Sequence, residues 1–155
     1  MASAKRKPSP ADLLVLEEFL PYRLSILSNR VSRAIAARYA KAFDLTIPEW
    51  RIIAVLGRRP GLTAKEVAEA TEMDKVAVSR AVARLTAAHR VGARADADDA
   101  RRQLLTLTRE GETLHARIAP IALATEEKLL RALDKDERTQ LDRLLDRLLD
   151  AARTL

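Results

Sequence analysis

Three helix-start signals lie close together in the middle of the chain, and they restrict the helices there to a few turns each. Thr46-Ile47-Pro48-Glu49 and Thr63-Ala64-Lys65-Glu66 are capping boxes, in which a threonine and a glutamate three residues later satisfy free amides at a helix start. Asp74 is a third cap, and Arg59-Pro60-Gly61 is a helix breaker. We expect a helix from Thr46 to the breaker, a short one from Thr63, and one from Asp74 to about Ala88.

Two short runs of strand-like residues follow these helices. Val91 to Ala95 and Gln103 to Leu107 flank the polar turn Asp96-Ala97-Asp98-Asp99-Ala100. This pattern predicts a β-hairpin, which is the only β structure we expect in the chain.

Long helices are expected on both sides of this central unit. Ser9 and Pro10 indicate a short helix to about Phe19, and Pro21 indicates a long one to about Ala42. The long helix carries one apolar stripe, formed by Leu20, Leu24, Leu27, Val31 and Ile35.

The C-terminal third predicts two further helices. Thr108-Arg109-Glu110-Gly111 begins one that runs to about Leu133, and Asp134 begins the last. The last helix has a leucine stripe, formed by Leu141, Leu144, Leu145, Leu148 and Leu149. The fold class is therefore mostly α, a helix-turn-helix with a small two-stranded wing and additional N- and C-terminal helices.

The composition argues against an enzyme. The chain has no cysteine, two histidines and four dispersed glycines, so it offers no thiolate site and no phosphate-cradling loop. Asp98 and Asp99 lie on a turn beside arginines rather than as an acid–base pair. We expect neither catalysis nor a cofactor. No run approaches the roughly 18 apolar residues of a membrane span, so we expect a cytoplasmic protein without a membrane partner.

The positive charge is concentrated in two parts of the chain. The net charge is +6, and the excess of basic residues lies in residues 1–43 and 74–102. A basic excess suits a polyanionic partner such as nucleic acid. Two short helices followed by a hairpin form a unit that places the second helix in the major groove.

The helix that begins at Asp74 suits groove reading. Val78, Ala81, Val82 and Leu85 have the spacing of a core face. The opposite face is small or polar near its N-terminal end, with Lys75, Val76, Ser79, Arg80 and Ala83. Arg80 can bind a guanine edge or a phosphate, and Arg84 a phosphate. An ordinary charged surface helix is the alternative.

The hairpin strengthens the DNA hypothesis. Arg94, Arg101 and Arg102 flank its turn, and a narrow minor groove attracts arginine. A carboxylate two residues before an arginine can hold the arginine stem and direct the guanidinium outward. A solvated charged loop is the alternative interpretation.

On these residues, the chain resembles MarR-type regulators. The resemblance is carried by Leu45-Thr46-Ile47-Pro48-Glu49-Trp50-Arg51, by Met73-Asp74-Lys75-Val76-Ala77-Val78-Ser79-Arg80, and by Asp99-Ala100-Arg101 followed by Leu105-Thr106-Leu107-Thr108 and Glu110-Gly111. It implies a winged helix-turn-helix in which Arg101 enters the minor groove and the terminal helices build a two-fold dimer. The DNA-binding residues are then expected to be Lys75, Val76, Ala77, Ser79, Arg80, Arg84, Arg94, Arg101 and Arg102.

His89-Arg90 departs from the family pattern, which often has Gly-Leu after the recognition helix. A histidine in the left-handed exit costs of order 1 kcal/mol relative to glycine. Arg90 replaces an apolar residue at the base of the wing, and we expect it to reach a phosphate instead.

The terminal helices are too apolar for a small monomer, which favours a homodimer on a pseudo-palindromic operator. A helical bundle within one chain is the alternative. We expect residues 1–10 to form a flexible basic tail, 11–45 and 109–155 the helical dimerisation region, and 46–108 the DNA-binding region.

A second stripe of the long N-terminal helix is small and polar. It is either a close packing face or one wall of a ligand pocket. The family resemblance implies a pocket for a small aromatic carboxylate or phenol. Its candidate lining residues are Ser28, Asn29, Tyr39, Trp50, Arg51 and His115. Trp50 as a core residue and His115 as a surface residue are the alternatives.

The sequence therefore predicts a homodimeric, sequence-specific transcriptional repressor on double-stranded DNA, released by a small aromatic effector. A non-specific architectural DNA-binding protein without a ligand is the alternative function.

Overall fold

The computed structural model describes residues 14–155. In this part of the chain the elements are α1 (Leu20–Phe43), α2 (Ile47–Arg58), α3 (Ala64–Thr71), α4 (Lys75–Ala87), β1 (Val91–Ala95), β2 (Gln103–Leu107), α5 (Arg109–Leu130) and α6 (Lys135–Ala152). The predicted fold class is confirmed: the protein is mostly helical, with a two-stranded antiparallel sheet after the third of three short helices. No helix within residues 14–155 is long and apolar enough to cross a membrane.

The predicted first helix is wrong where the structure describes it. Its start at Ser9 and Pro10 lies outside the described residues, and residues 14–19 form a turn closed by a hydrogen bond from the Phe19 amide to the Val15 carbonyl. Leu14, Val15 and Phe19 are exposed. A helix this short needs packing to be stable, and within residues 14–155 these side chains remain largely open to solvent.

The short helices begin at the predicted caps. The Thr46 side chain accepts from the Glu49 amide, and the Glu49 carboxylate accepts from the Thr46 amide, so both halves of the capping box form. Thr63 and Glu66 repeat this arrangement at α3. At α4, the Asp74 carboxylate accepts from the amides of Val76 and Ala77, both at 2.9 Å.

The hydrophobic core lies between these helices and the start of α5. α2 contributes Ile52, Ile53 and Leu56, and α3 and α4 close over them with Val67, Val78, Ala81 and Leu85. Tyr39 of α1, Val91 and Leu105 of the sheet, and Leu114 and Ile118 of α5 complete it. The three short helices and the hairpin therefore share one core, to which α1 and α5 also contribute side chains.

The two strands pair with each other, and one of them is also hydrogen-bonded to the loop before α3. β1 and β2 pair from Val91 opposite Leu107 to Ala95 opposite Gln103. Leu62, in the loop before α3, forms an antiparallel bridge to Leu105. The Gly61 amide donates to the Leu105 carbonyl at 2.9 Å, and the Leu105 amide donates to the Leu62 carbonyl at 2.8 Å. The hairpin is thus held against the loop between α2 and α3, and most residues of its turn are exposed.

The residues that depart from the family pattern connect four elements. His89 adopts the left-handed conformation, with φ 56°, so the usual exit from the recognition helix is kept without glycine. Arg90 donates to the carbonyls of Phe43 and Asp44 at the end of α1. The expectation that Arg90 reaches a phosphate is therefore wrong, because its guanidinium caps a helix end instead.

The two ends of the chain contrast with this core. α6 has no buried residue, and its Leu144, Leu148 and Leu149 are 41–64% exposed. The first half of α1 exposes Leu20, Leu24 and Leu27. Both predicted apolar stripes are present, and within the described residues each is partly exposed, whereas Val31, Ile35, Leu141 and Leu145 are half-buried.

The junction between β2 and α5 requires glycine at position 111. A Cβ there would overlap the Arg90 carbonyl oxygen, whereas a Cβ at Gly92 would meet nothing closer than 3.9 Å. We expect Gly111→Ala to lower the free energy of unfolding by about 3 kcal/mol, because overpacking cannot be relieved against backbone. Urea denaturation measures this, with Gly92→Ala as the matched control. A Gly111→Ala midpoint equal to that of the control would contradict the close approach.

Candidate nucleic-acid interface

The outer face of α4 is open to solvent along its length. Val78, Ala81 and Leu85 are buried against α2 and α3, as their spacing predicts. The outward residues Lys75, Val76, Ser79, Arg80 and Ala83 are exposed, whereas Ala77 is half-buried. The Asp74 cap holds the first turn of α4, whose exposed residues are small or polar except for Val76.

The turn of the wing is organised by aspartates that accept from backbone amides. The Asp99 carboxylate accepts from the Arg101 amide and that of Asp96 from the Asp98 amide, both at 3.0 Å. The expected clamp of a carboxylate on an arginine stem is absent at Arg101 in the described residues. Asp99 instead shapes the turn, and the Arg101 side chain extends into solvent from it.

Arg102 has a different environment from its neighbour. Its guanidinium lies 3.5 Å from Asp96 and 3.5 Å from Glu66 of α3, and its side chain is 49% exposed. Pairs of this length and exposure contribute little to stability. Arg102 is therefore held loosely against the helix-turn-helix, while Arg94 and Arg101 form no ion pair within residues 14–155.

Arg84 is paired with Glu49, a residue for which the sequence predicted only a capping role. Its Nε lies 2.8 Å from the Oε1 atom of Glu49, whose side chain is only 3% exposed. The sequence identified Glu49 solely as the closing residue of a capping box. The signal available was that a capping glutamate uses one oxygen for the box and leaves the other free for a second partner.

Three of the six candidate ligand residues come together. The rings of Tyr39 and Trp50 are 6.0 Å apart, and the His115 ring stacks on Trp50 at the same separation. Gly57 makes room for the stack, because a Cβ there would lie 2.7 Å from the imidazole. Trp50 and His115 are half-buried, between the core and surface alternatives.

The other three candidates lie differently. Arg51 is near enough for its charge to act on the Tyr39 phenol. Ser28 and Asn29 are exposed, and Asn29 donates weakly to Ser25 on its own helix. They precede Tyr39 on α1 by about 15 Å of helix, so one chain does not bring them to the aromatic cluster.

The phenol of Tyr39 is the unusual polar group of this cluster. The side chain is fully buried, and its hydroxyl has no hydrogen-bond partner within residues 14–155. Burial raises the pKa of Tyr39 to about 12, although the Arg51 charge acts in the opposite direction. A buried donor without a partner costs free energy, which distinguishes this hydroxyl from the other polar groups of the core.

Comparisons with known proteins agree with this geometry. Residues 43–102 match the MarR family. The transcriptional regulator HosA of Escherichia coli O157:H7 is 30% identical over 95 residues, which are 61% of this chain and 70% of that protein. The HTH-type transcriptional repressor Mb2911 of Mycobacterium bovis is 27% identical over 131 residues, 84% of this chain and 91% of that one.

The fold is shared with solved structures. That of BpsR from Bordetella bronchiseptica superimposes with a TM-score of 0.77 at 22% identity, over 89% of this chain and 98% of BpsR. The protein belongs to the MarR family of winged helix-turn-helix transcriptional regulators, which are not enzymes.

The unpartnered hydroxyl of Tyr39 predicts how a Tyr39→Phe substitution changes the free energy of unfolding. Tyr39→Phe should leave the free energy of unfolding at neutral pH within about 1 kcal/mol of the wild type or raise it, because no hydrogen bond is removed. Above the ordinary tyrosine pKa of about 10 the unfolded chain ionises while folded Tyr39 resists until about 12, so wild-type stability falls across this range. Tyr39→Phe should lack this contribution.

Urea denaturation at about pH 8 and pH 11 measures both effects. Tyr22→Phe, at the other tyrosine of the chain, is the control and should keep the alkaline loss. A large destabilisation of Tyr39→Phe at neutral pH would mean that the hydroxyl has a partner in the ligand-free protein.

Proposed function

We propose that this MarR-family regulator is a homodimeric repressor that binds a pseudo-palindromic operator in double-stranded DNA. The observation that carries the proposal is the exposed outer face of α4 beside the exposed turn of the wing. Arg80 on the helix and Arg101 on the wing are both free of ion pairs within the described residues. In a winged helix-turn-helix these positions face the major and the minor groove.

The DNA-binding surface follows from this placement. The N-terminal half of α4 reads base edges, the flank of the helix binds phosphate, and the wing enters the minor groove. The residues assigned to it are Lys75, Val76, Ala77, Ser79, Arg80, Arg84, Arg94, Arg101 and Arg102. Their basic charge supplies affinity, and the small residues near Asp74 allow the close approach that sequence reading needs.

A second copy of the chain is the partner for the terminal helices. The exposed leucines of α1 and α6 form apolar faces larger than single scattered side chains. Pairing them places two α4 helices about one turn of DNA apart, roughly 34 Å. The dimerisation region is assigned to residues 11–45 and 109–155, and the DNA-binding region to 46–108.

A small aromatic acid or phenol is the proposed effector. The support within the chain is the unpartnered Tyr39 hydroxyl next to the stacked rings of Trp50 and His115, with the positive charge of Arg51 nearby. In BpsR, DNA binding is regulated by 6-hydroxynicotinic acid, a compound of this chemical class. Ser28 and Asn29 belong to the site only if a partner chain completes it.

The wing assignment predicts a selective loss of DNA affinity. Arg101→Ala should weaken binding to the chain's own upstream DNA by about 1–3 kcal/mol, because a minor-groove interaction is removed. The log–log salt slope should decrease by about 0.9 for each phosphate that is no longer neutralised. Mobility-shift titrations measure both, sedimentation should show the dimer unchanged, and Arg153→Ala is a charge-matched control far along α6.

Competition with bulk DNA separates this function from the architectural alternative. A regulator should prefer its operator by roughly a thousandfold or more. Equal affinity for the upstream sequence and for bulk DNA would favour the architectural protein, and a monomer in sedimentation would remove the two-fold arrangement.

The effector proposal predicts thermal stabilisation by ligand. At a hundredfold excess over Kd, a bound aromatic acid should add about 2.7 kcal/mol to the free energy of unfolding, through RT ln(1+[L]/Kd). The same compound should weaken operator binding. A broad panel of aromatic acids and phenols that shifts neither melting nor operator affinity would contradict the effector site while leaving the DNA assignment intact.

A further inference from the structure

The carboxylate of Glu49 performs two tasks with its two oxygens. Oε2 accepts from the amide and from the hydroxyl of Thr46, both at 2.7 Å, which closes the cap of α2. Oε1 lies 2.8 Å from Nε of Arg84, which belongs to the recognition helix α4. A carboxylate that is 3% exposed needs such a counter-charge, because an unpaired buried ion is strongly destabilising.

Arg84 has an unusual combination of restraint and exposure. Its Nε is held by Glu49, yet its side chain is 59% exposed. The guanidinium is planar, so an ion pair at Nε restricts the whole group and leaves the two Nη atoms for other acceptors. Within residues 14–155 the pair with Glu49 is the only ion pair of Arg84.

The position of Arg84 on α4 determines where its two Nη atoms lie. It follows Arg80 by four residues, so the two side chains lie on neighbouring turns of one helix face. Arg80 is on the exposed face and Leu85 on the buried one, which places Arg84 at the flank where α4 meets the start of α2. The Nη atoms are therefore exposed beside the outer face of α4, on the side that faces α2.

We propose that Glu49 is a positioning residue for DNA binding, whose buried carboxylate holds the Arg84 guanidinium so that its Nη groups bind a backbone phosphate. The inference rests on the proposed DNA-binding function and adds a residue to it that carries the charge opposite to that of the interface. Preorganisation lowers the entropy cost of fixing a long, flexible side chain on its target.

Two other capping-box glutamates show what is particular to Glu49. Glu66 approaches Arg102 at only 3.5 Å and is 40% exposed, so it restrains its arginine weakly. Glu137 closes the capping box with Asp134 at the start of α6. It forms no ion pair with an arginine within residues 14–155, and the neighbouring Arg138 pairs with Glu127. Glu137 therefore matches Glu49 in its cap and differs in the function proposed.

Charge alone and our proposal predict opposite effects on DNA affinity when the Glu49 carboxylate is removed. Removing a negative charge next to DNA should strengthen binding if charge alone mattered. Under our proposal Glu49→Gln weakens it, because glutamine keeps the capping box but no longer holds Arg84 by charge. In a chain without Arg84 the same substitution should cause no loss, since the carboxylate then has nothing to position.

A double-mutant cycle tests this difference. Glu49→Gln, Arg84→Met and the double variant are titrated with upstream DNA and with bulk DNA over a range of salt concentrations. We expect Glu49→Gln to weaken binding roughly threefold to tenfold in the presence of Arg84 and to leave it unchanged or strengthen it in the Arg84→Met background. Arg84→Met should lower the salt slope by about 0.9 per protomer.

Glu137→Gln, the matched control, should leave DNA binding unchanged. Urea denaturation of every variant checks the fold, and Arg84→Gln, which removes the charge but keeps a hydrogen-bond donor for the Glu49 carboxylate, replaces Arg84→Met if that variant does not fold. An equal loss from Glu49→Gln in both backgrounds, or an unchanged salt slope in the Arg84→Met variant, would overturn the proposal. Equal binding of upstream and bulk DNA by the wild type would instead overturn the proposed regulator, and the cycle can still be measured on either DNA.

Discussion

The carbonyl oxygen of Arg90 lies so close to Gly111 that a Cβ at position 111 would overlap it. The same oxygen accepts a hydrogen bond from the Thr108 amide. The arginine side chain meanwhile donates to the last carbonyls of α1, and the preceding His89 carbonyl accepts from the Thr108 hydroxyl. One junction therefore joins the end of α1, the exit of the recognition helix, the base of the wing and the start of α5. The wing and α4 are held in a fixed relation to both long helices because this junction is made mostly of backbone, which has little freedom to shift.

The surface proposed to face DNA is basic, yet several of its arginines lie against acidic residues. Asp99 shapes the turn below Arg101, Asp96 and Glu66 approach Arg102, and Glu49 holds Arg84. Distance and burial separate these contacts: the two pairs of Arg102 are 3.5 Å long, whereas Arg84 lies 2.8 Å from a carboxylate that is 3% exposed. A count of charges along the sequence treats all four acids as losses to DNA affinity, and the structure assigns each of them a local task.

The buried core and the exposed leucines occupy different parts of the chain. Within the described residues, every buried core residue lies between Tyr39 and Ile118. The aromatic cluster of Tyr39, Trp50 and His115 joins α1, α2 and α5 at the edge of this core, beside the capping box that reaches the recognition helix through Glu49. A ligand bound at the cluster would act one residue away from the contact that holds Arg84, which gives the proposed effector and the proposed DNA contact a short physical connection.

The sequence alone determined the elements whose signals are local. Capping boxes, the Asp74 cap and the short strand-like runs act within a few residues, so the starts of the short helices and both strands were predicted from them, as were the faces of α4. The turn at residues 14–19 was mispredicted because only packing decides whether so short an apolar segment is helical. Tertiary structure alone decided that Arg90 caps α1 and that Glu49 holds Arg84, since these contacts join residues 35 or more positions apart. It also brought Trp50 and His115 together and left the Tyr39 hydroxyl without a partner within the described residues. Each of these depends on which helices become neighbours, and the local pattern of a sequence does not contain that information.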